Sequence, residues 1–303
     1  MRSNFIKNKI MPVVEDKGNW RSQFNSWLGD FVANVLGQRM NYTLRYYSHR
    51  HHLPNFKHPK DLSERILSAM LSKDFLKYAD YADKVKVREY VRSKGLDDIL
   101  LKQYGAWEDA NLIPFYQLPD RFILKANNGS GGHYICTDKS KLDIPTVIRD
   151  MNTTLVGASH LRNTEPHYCA IKPMILAEEL MGDGHTLPTD YKFFCIRGKV
   201  VFIFLCVERE NGVKFGTVDT DWTPLNYVYK RFAPKNLPAK PDNFDEMIKI
   251  SENLAKDFDF VRVDLYDDNG NIKFGELTFS PEGGIMSYFK DETLRILGEK
   301  FEE

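Results

Sequence analysis

Two short runs near the C-terminus hold the residues best suited to chemistry: Phe260-Val-Arg-Val-Asp-Leu-Tyr266 and, after a turn, Phe274-Gly-Glu-Leu-Thr-Phe-Ser-Pro281. In an extended strand, residues two apart share a face. Arg262 and Asp264 therefore project one way and Val261, Val263 and Leu265 the other, while Glu276 and Thr278 form the matching pair on the returning strand. Two carboxylates and a hydroxyl facing one cleft are the oxygen donors that a hard cation such as Mg2+ takes. A polar, solvent-facing edge hairpin would show the same alternation, so the pattern alone leaves both readings open. Register decides between them. A two-residue turn at Asn269-Gly270 would set Asp264 opposite Gly275 and send Glu276 to the other face. A shared metal therefore requires an odd loop, and the expectation is Asp268-Asn269-Gly270 with Gly270 left-handed at a bulge position.

Three further segments could handle a phosphorylated ligand. Phe122-Ile-Leu-Lys-Ala-Asn-Asn-Gly-Ser-Gly-Gly132 carries Lys125 at the end of a strand and then a glycine-rich turn, Gly129-Ser130-Gly131-Gly132. Such backbone lets amide N–H groups approach phosphate oxygens; a flexible hairpin tip has the same composition. Ile175-Leu-Ala-Glu-Glu-Leu180 is an apolar strand ending in paired carboxylates, suited either to a nucleoside or to solvent. In Asp190-Tyr-Lys-Phe-Phe-Cys-Ile-Arg-Gly-Lys199, Lys192 projects from the start of a strand and could meet a phosphate.

The elements that must position these residues change character along the chain. The first third reads as helical: Trp20, Phe24, Trp27, Leu28, Phe31 and Val35 fall on one face, which suits either core packing or a peripheral membrane or partner contact. Asp61 and Glu64 form a capping box, and a further helix runs from about Asp83 to Lys94, ending at Gly95. From residue 112 strands take over, near 121–125, 132–137, 174–180, 191–197, 199–208, 260–266 and 272–279. Helices follow Pro145 and Asn243, the latter with a capping box to Glu246, and a last helix ends the chain.

Composition bounds the function. Lys plus Arg number 42 and Asp plus Glu 42, so bulk charge gives no attraction to nucleic acid, and any anion must be caught by a local cluster. Apolar residues at 42% supply a core without staples. Cys136, Cys169, Cys195 and Cys206 lack metal or redox spacing and read as reduced thiols of a cytoplasmic protein. The longest apolar run, Val200 to Val207, is too short to cross a membrane. His49, His51, His52 and His58 lie in a polar, proline-bounded loop and read as solvated or substrate-contacting, not metal-binding.

Taken in order, the segments resemble the ATP-grasp superfamily. "DKVKVREYV" from Asp83 is similar to its nucleotide-phosphate helix, "FILKANNGSGG" to its lysine strand and glycine loop, "ILAEEL" to its adenine hinge, and "VRVDLYDDNGNIKFGELTFSP" to its metal hairpin. "DYKFFCIRGK", "FGELTFSPEGG" and "LPDRFILKANNGSGG" are similar to the teichuronopeptide-biosynthesis (TupA-like) branch, found with bacterial surface polysaccharide pathways. The resemblance spans roughly residues 40 to 298. It implies an α+β fold in which two α+β lobes grip ATP, with a helical region over 1–80, a small lobe over 81–180 and a large lobe over 181–303. It assigns Lys84, Lys125 and Lys192 to ATP phosphates, Gly129, Ser130, Gly131 and Gly132 to the covering loop, and Glu178, Glu179 and Leu180 to adenine and ribose. It gives Asp264, Glu276 and Thr278 to Mg2+, although Thr278 stands where many relatives have Asn. Arg262 would steady an acyl phosphate, with Lys192 as its catalytic companion. The implied activity joins a small-molecule carboxylate, such as a uronic acid, to an amino-acid amine. Rival readings are a glycosyltransferase using Asp219-Thr-Asp221 as a DxD metal motif, a kinase on the same fold, and an inactive nucleotide-binding module. Carboxylate-dependent ADP release separates them.

Overall fold

The computed structural model describes residues 32–129, 132–156, 164–182, 188–207 and 213–303, together with the backbone of Ile10–Met11. Most of the apolar face anticipated over Trp20 to Val35 lies outside the described residues, as do Ser130, Gly131 and residues 157–163. Among the described residues, no helix is long and apolar enough to cross a membrane.

Two antiparallel sheets of five strands organise the rest. The smaller is ordered β1 (Ile10–Met11), β4 (His133–Cys136), β3 (Phe122–Ala126), β5 (Ile175–Glu178) and β2 (Gln103–Trp107). Its core is Phe122, Leu124, Tyr134, Cys136, Ile175 and Ala177, packed on Val147 and Met151 of the helix Ile144–Val156. The larger is ordered β10 (Asn271–Thr278), β9 (Phe260–Asp268), β6 (Thr189–Ile196), β7 (Lys199–Val207) and β8 (Lys214–Val218). The helix Phe244–Ala255 contributes Phe244, Met247 and Leu254 to the same buried core as Phe193, Val261, Val263 and Leu265. The N-terminal helices Gln38–Arg50, Leu62–Met70 and Val87–Ser93 add Tyr42, Leu67 and Val91 to that core.

Local reasons for these elements are visible. Asp61 accepts from the Glu64 N–H at 2.8 Å, as a capping residue should. The reciprocal arm is diverted: the Glu64 carboxylate takes the N–H groups of Asn55 and Lys60 instead. The capping box expected at Asn243 does not form: its Nδ2 donates to Asp267 and to the Gly270 carbonyl, and its Oδ1 accepts no N–H of the helix. The helix expected from Asp83 begins only at Val87, so Lys84 sits in the turn before it.

The metal-hairpin register differs from expectation in an informative way. The loop is the two-residue Asn269-Gly270 turn, with φ of 54° and 86°, and Asn271 pairs with Asp268. That register holds as far as Phe274 opposite Leu265, then shifts, and Glu276 stands opposite Asp264. The shift is a bulge at Gly275. A Cβ there would lie 2.8 Å from the Tyr266 ring and 3.0 Å from the Asp264 carbonyl oxygen, so glycine is what lets the strand close up. The odd loop was the wrong mechanism; the shared face it was meant to secure is present.

Candidate active site

Register across β6, β9 and β10 lines up the polar residues. Lys192 pairs with Asp264, which pairs with Glu276; one row along, Arg262 pairs with Thr278. The side chains are joined. Lys192 Nζ lies 2.5 Å from Asp264 Oδ2 and 2.6 Å from Asp190 Oδ2. Arg262 grips Asp264 through two nitrogens, Nε to Oδ1 and Nη2 to Oδ2, both at 2.7 Å. Its Nη2 also donates to Glu276 Oε1 at 3.1 Å and to Thr278 Oγ1 at 3.0 Å, and the Thr278 hydroxyl donates to Glu276 at 3.1 Å. The Asp264 side chain is 2% exposed and that of Glu276 28%, so Glu276 is the more accessible of the two carboxylates.

Electrostatics follow from this packing. Burial raises Asp264, with Arg262 and Lys192 opposing it. Burial would raise Glu276 as well, but Lys84, Arg262 and Lys192 hold it down at about 2. Desolvation works against the charges of Lys192 and Arg262, and Asp264 overrides it and keeps both protonated.

Lys84 links this group to the glycine loop. Its Nζ donates to the Gly129 carbonyl at 2.6 Å and lies 3.6 Å from Glu276 Oε2. Asn127 fixes the turn beneath it, donating to Asp83 and to the Lys172 carbonyl and accepting from the Met174 N–H. Lys125 pairs with Glu178 at 3.0 Å, and Arg88 holds the other oxygen of Glu178, also at 3.0 Å. His133, depressed first by burial, is pressed further by Lys125 and Lys84. Gly132 has φ of 64° at the end of the loop. Glu179 is exposed and its N–H is taken by the Lys102 carbonyl at 2.9 Å, while Leu180 is half-buried; neither joins the Lys125–Glu178 pair.

Several neighbours of these residues escaped sequence reasoning. Asp190 is two residues from Lys192 on one strand and could have been found by the same-face rule. Arg88 stands four residues after Lys84. Glu165 and Arg45 have no local signal at all. Burial pushes Glu165 up to about 7, with the Ser280 hydroxyl and Arg45 pulling down and Glu276 pushing up. The DxD alternative fares poorly: Asp219 Oδ1 accepts from the N–H groups of Asp221 and Thr223 at 2.9 and 2.8 Å, so that carboxylate shapes a turn.

The donor set bears on the expected cation. Among the described residues, no three His, Cys, Asp or Glu side chains form a ready metal cluster. Asp190, Asp264 and Glu276 are instead matched by Lys84, Lys192 and Arg262. Such a balanced set fits Mg2+ only together with a polyphosphate, whose oxygens would draw the cations off the carboxylates.

A family model described as TupA-like ATPgrasp matches residues 62–302. No curated protein matches the sequence. Among solved structures, the chain is similar to the ATP-grasp ligase PsnB complexed with minimal precursor, at 12% identity and TM-score 0.43, over 97% of this chain and 76% of that one. It is similar to PsnB complexed with a phosphomimetic variant of minimal precursor, Mg and ADP, at 10% identity and TM-score 0.41, over 74% and 59%. It is also similar to the D-alanine--D-alanine ligase from Bacillus anthracis complexed with ATP, at 16% identity and TM-score 0.38, over 72% and 56%. The chain thus spans 59% and 61% of the first two PsnB structures matched.

Proposed function

The chain belongs to the TupA-like ATP-grasp family, and on that premise we propose that it is an ATP-dependent carboxylate–amine ligase working through an acyl phosphate. One observation carries the reading: Asp264 is clamped by Arg262 and Lys192 in a row that ends at the partly exposed Glu276. A buried, charge-balanced row of this kind can exchange partners without leaving any charge uncompensated. Lys84, Lys125 and Lys192 turn to the phosphates of ATP beneath the glycine loop. Asp264 and Glu276, with Thr278 beside them, would hold Mg2+. When bound, that metal supplies Lewis-acid stabilisation of the transferring phosphoryl group.

A carboxylate oxygen of the substrate attacks the γ-phosphorus in line. The bond from phosphorus to the bridging oxygen of the β-phosphate breaks, and ADP leaves. Arg262 then faces the acyl phosphate, an amine attacks its carbonyl carbon and loses a proton, and inorganic phosphate departs. Resemblance to the polysaccharide-linked branch supports a uronic-acid carboxylate and an amino-acid amine as the pair. An ADP-release screen of uronic acids crossed with amino acids tests this. ADP that needs a carboxylate supports the ligase; ADP formed with a neutral sugar alone would make the protein a kinase.

A further inference from the structure

We propose that Arg45 and Glu165 form the acceptor subsite, which takes a free amino acid as its zwitterion, carboxylate on Arg45 and ammonium on Glu165. This deepens the ligase reading and rests on it. Arg45 projects from the helix Gln38–Arg50, and its Nη1 is buried without a hydrogen-bond partner. A buried donor left unpaired is costly, and such groups mark places where a ligand completes the bonding. The chain is shaped around this guanidinium: Gly283 has φ of 57°, and a Cβ on it would stand 2.8 Å from Arg45 Nη2.

Glu165 is close enough for its charge to act on Arg45, yet the two form no ion pair. Its Oε1 accepts from the Ser280 hydroxyl at 2.6 Å, and Ser280 follows Thr278 by two residues. Glu165 is therefore seated at the edge of the catalytic row, within the fields of Glu276 and Arg262. Charge selects the ligand class. Arg45 is flanked by Glu165 and Glu282, and the Glu282 carboxylate is already occupied by the N–H and hydroxyl of Ser287. One cation beside two carboxylates does not draw a simple anion. It suits a molecule that brings a positive group for Glu165 along with a carboxylate for Arg45.

The test is calorimetric binding of the twenty protein amino acids, one at a time, to the full chain with ADP present. The tightest is then compared with its carboxamide and with the acid that lacks its amine. The wild type should bind each of those two at least about tenfold more weakly, the usual loss when a charged hydrogen bond is removed. Arg45→Met should bind the amino acid and its carboxamide alike, and Glu165→Gln should no longer prefer the amino acid over the amine-free acid. Arg45→Lys, which keeps the charge, should retain part of the preference. If Arg45→Met does not fold, the wild-type triplet and Arg45→Lys decide. Three equal affinities in the wild type, no binding of any amino acid, or a preference that survives Arg45→Met would overturn the subsite. A protein that discriminates as expected but never releases ADP with a carboxylate would overturn the ligase reading and leave the subsite standing.

Discussion

Glu178 in the smaller sheet and Asp264 in the larger are both buried carboxylates held between one arginine and one lysine. Their surroundings differ. Arg88, which grips Glu178, also donates to the Leu101 carbonyl at 2.6 Å and so ties a helix to the chain entering β2. That trio carries one more cation than anion, leaving Lys125, 23% exposed, with charge to offer a phosphate. Around Asp264 the charges cancel once Asp190, Glu276 and Lys84 are counted, and all of these except Lys84 stand on three neighbouring strands. The first arrangement is a fixed bracket with a spare positive charge. On the proposed reading the second is an exchangeable set, which would release its carboxylates only when something else takes the cations. Similar contacts thus support different roles, and the neighbours decide which.

The largest effect should come from breaking the exchangeable set. Asp264→Asn is expected to lower turnover by on the order of 100-fold or more, as when a charge-stabilising group is removed. Steady-state ADP release checks it, and near-normal turnover would place the metal and phosphates elsewhere. On the bracket, Lys125→Met should weaken a non-hydrolysable ATP analogue by about tenfold, the loss of one charged hydrogen bond. Titration by fluorescence or calorimetry reads this directly, and unchanged affinity would remove Lys125 from the nucleotide site.

A smaller effect should follow from disturbing register alone. Gly275→Ala forces the Tyr266 ring or the Asp264 backbone to give way by a few tenths of an ångström. Turnover should fall by roughly three- to tenfold, between the cost of an intact row and that of a missing charge. Binding of the ATP analogue, measured alongside, should change less, because the bracket around Lys125 belongs to the other sheet. Equal losses in both would mean that the two sheets respond as one unit.

The least change in activity is expected at His167, which belongs to neither group. Burial pushes this ring down to about 4 from its ordinary 6.5. The folded protein therefore binds this proton less readily than the unfolded chain. The ring's contribution to stability is complete above 6.5 and is lost as pH falls toward 4, with a slope of at most about 1.4 kcal/mol per pH unit. Urea unfolding between those pH values should show a shallower dependence in His167→Phe, and turnover should stay within about threefold of wild type. An identical dependence in both proteins would mean that the ring is charged where it lies.

Much of the larger sheet was legible because alternation in Phe260 to Tyr266 and Glu276 to Ser280 reports the strand period directly. The strands from 189 to 207 were legible for another reason, as short continuous apolar runs of the length a buried strand needs. Chemistry also required Asp264 and Glu276 to share a face, and they do. What the pattern hid was the means. A trace of it is there, since the buried apolar positions move from Ile272 and Phe274 to Leu277 and Phe279 across Gly275, but how closely Gly275 approaches Tyr266 is a distance between strands that one strand's sequence does not report. The strand Lys214–Val218 went unseen because Gly216 interrupts its apolar alternation. Arg45 and Glu165 lie far apart in the chain and meet only in the tertiary structure, beyond the reach of spacing rules. The Arg88–Glu178 pair is hidden for that reason too.

The central claim is that the row from Lys192 to Glu276 serves phosphoryl transfer to a carboxylate. Hydroxylamine trapping tests it most directly. The protein is incubated with MgATP and a uronic acid, without amine, in the presence of hydroxylamine, and products are resolved by mass spectrometry. The account predicts one hydroxamate and one ADP per turnover, both lost in Asp264→Asn. Release of AMP and pyrophosphate, or ADP that forms equally well without the carboxylate, would contradict it.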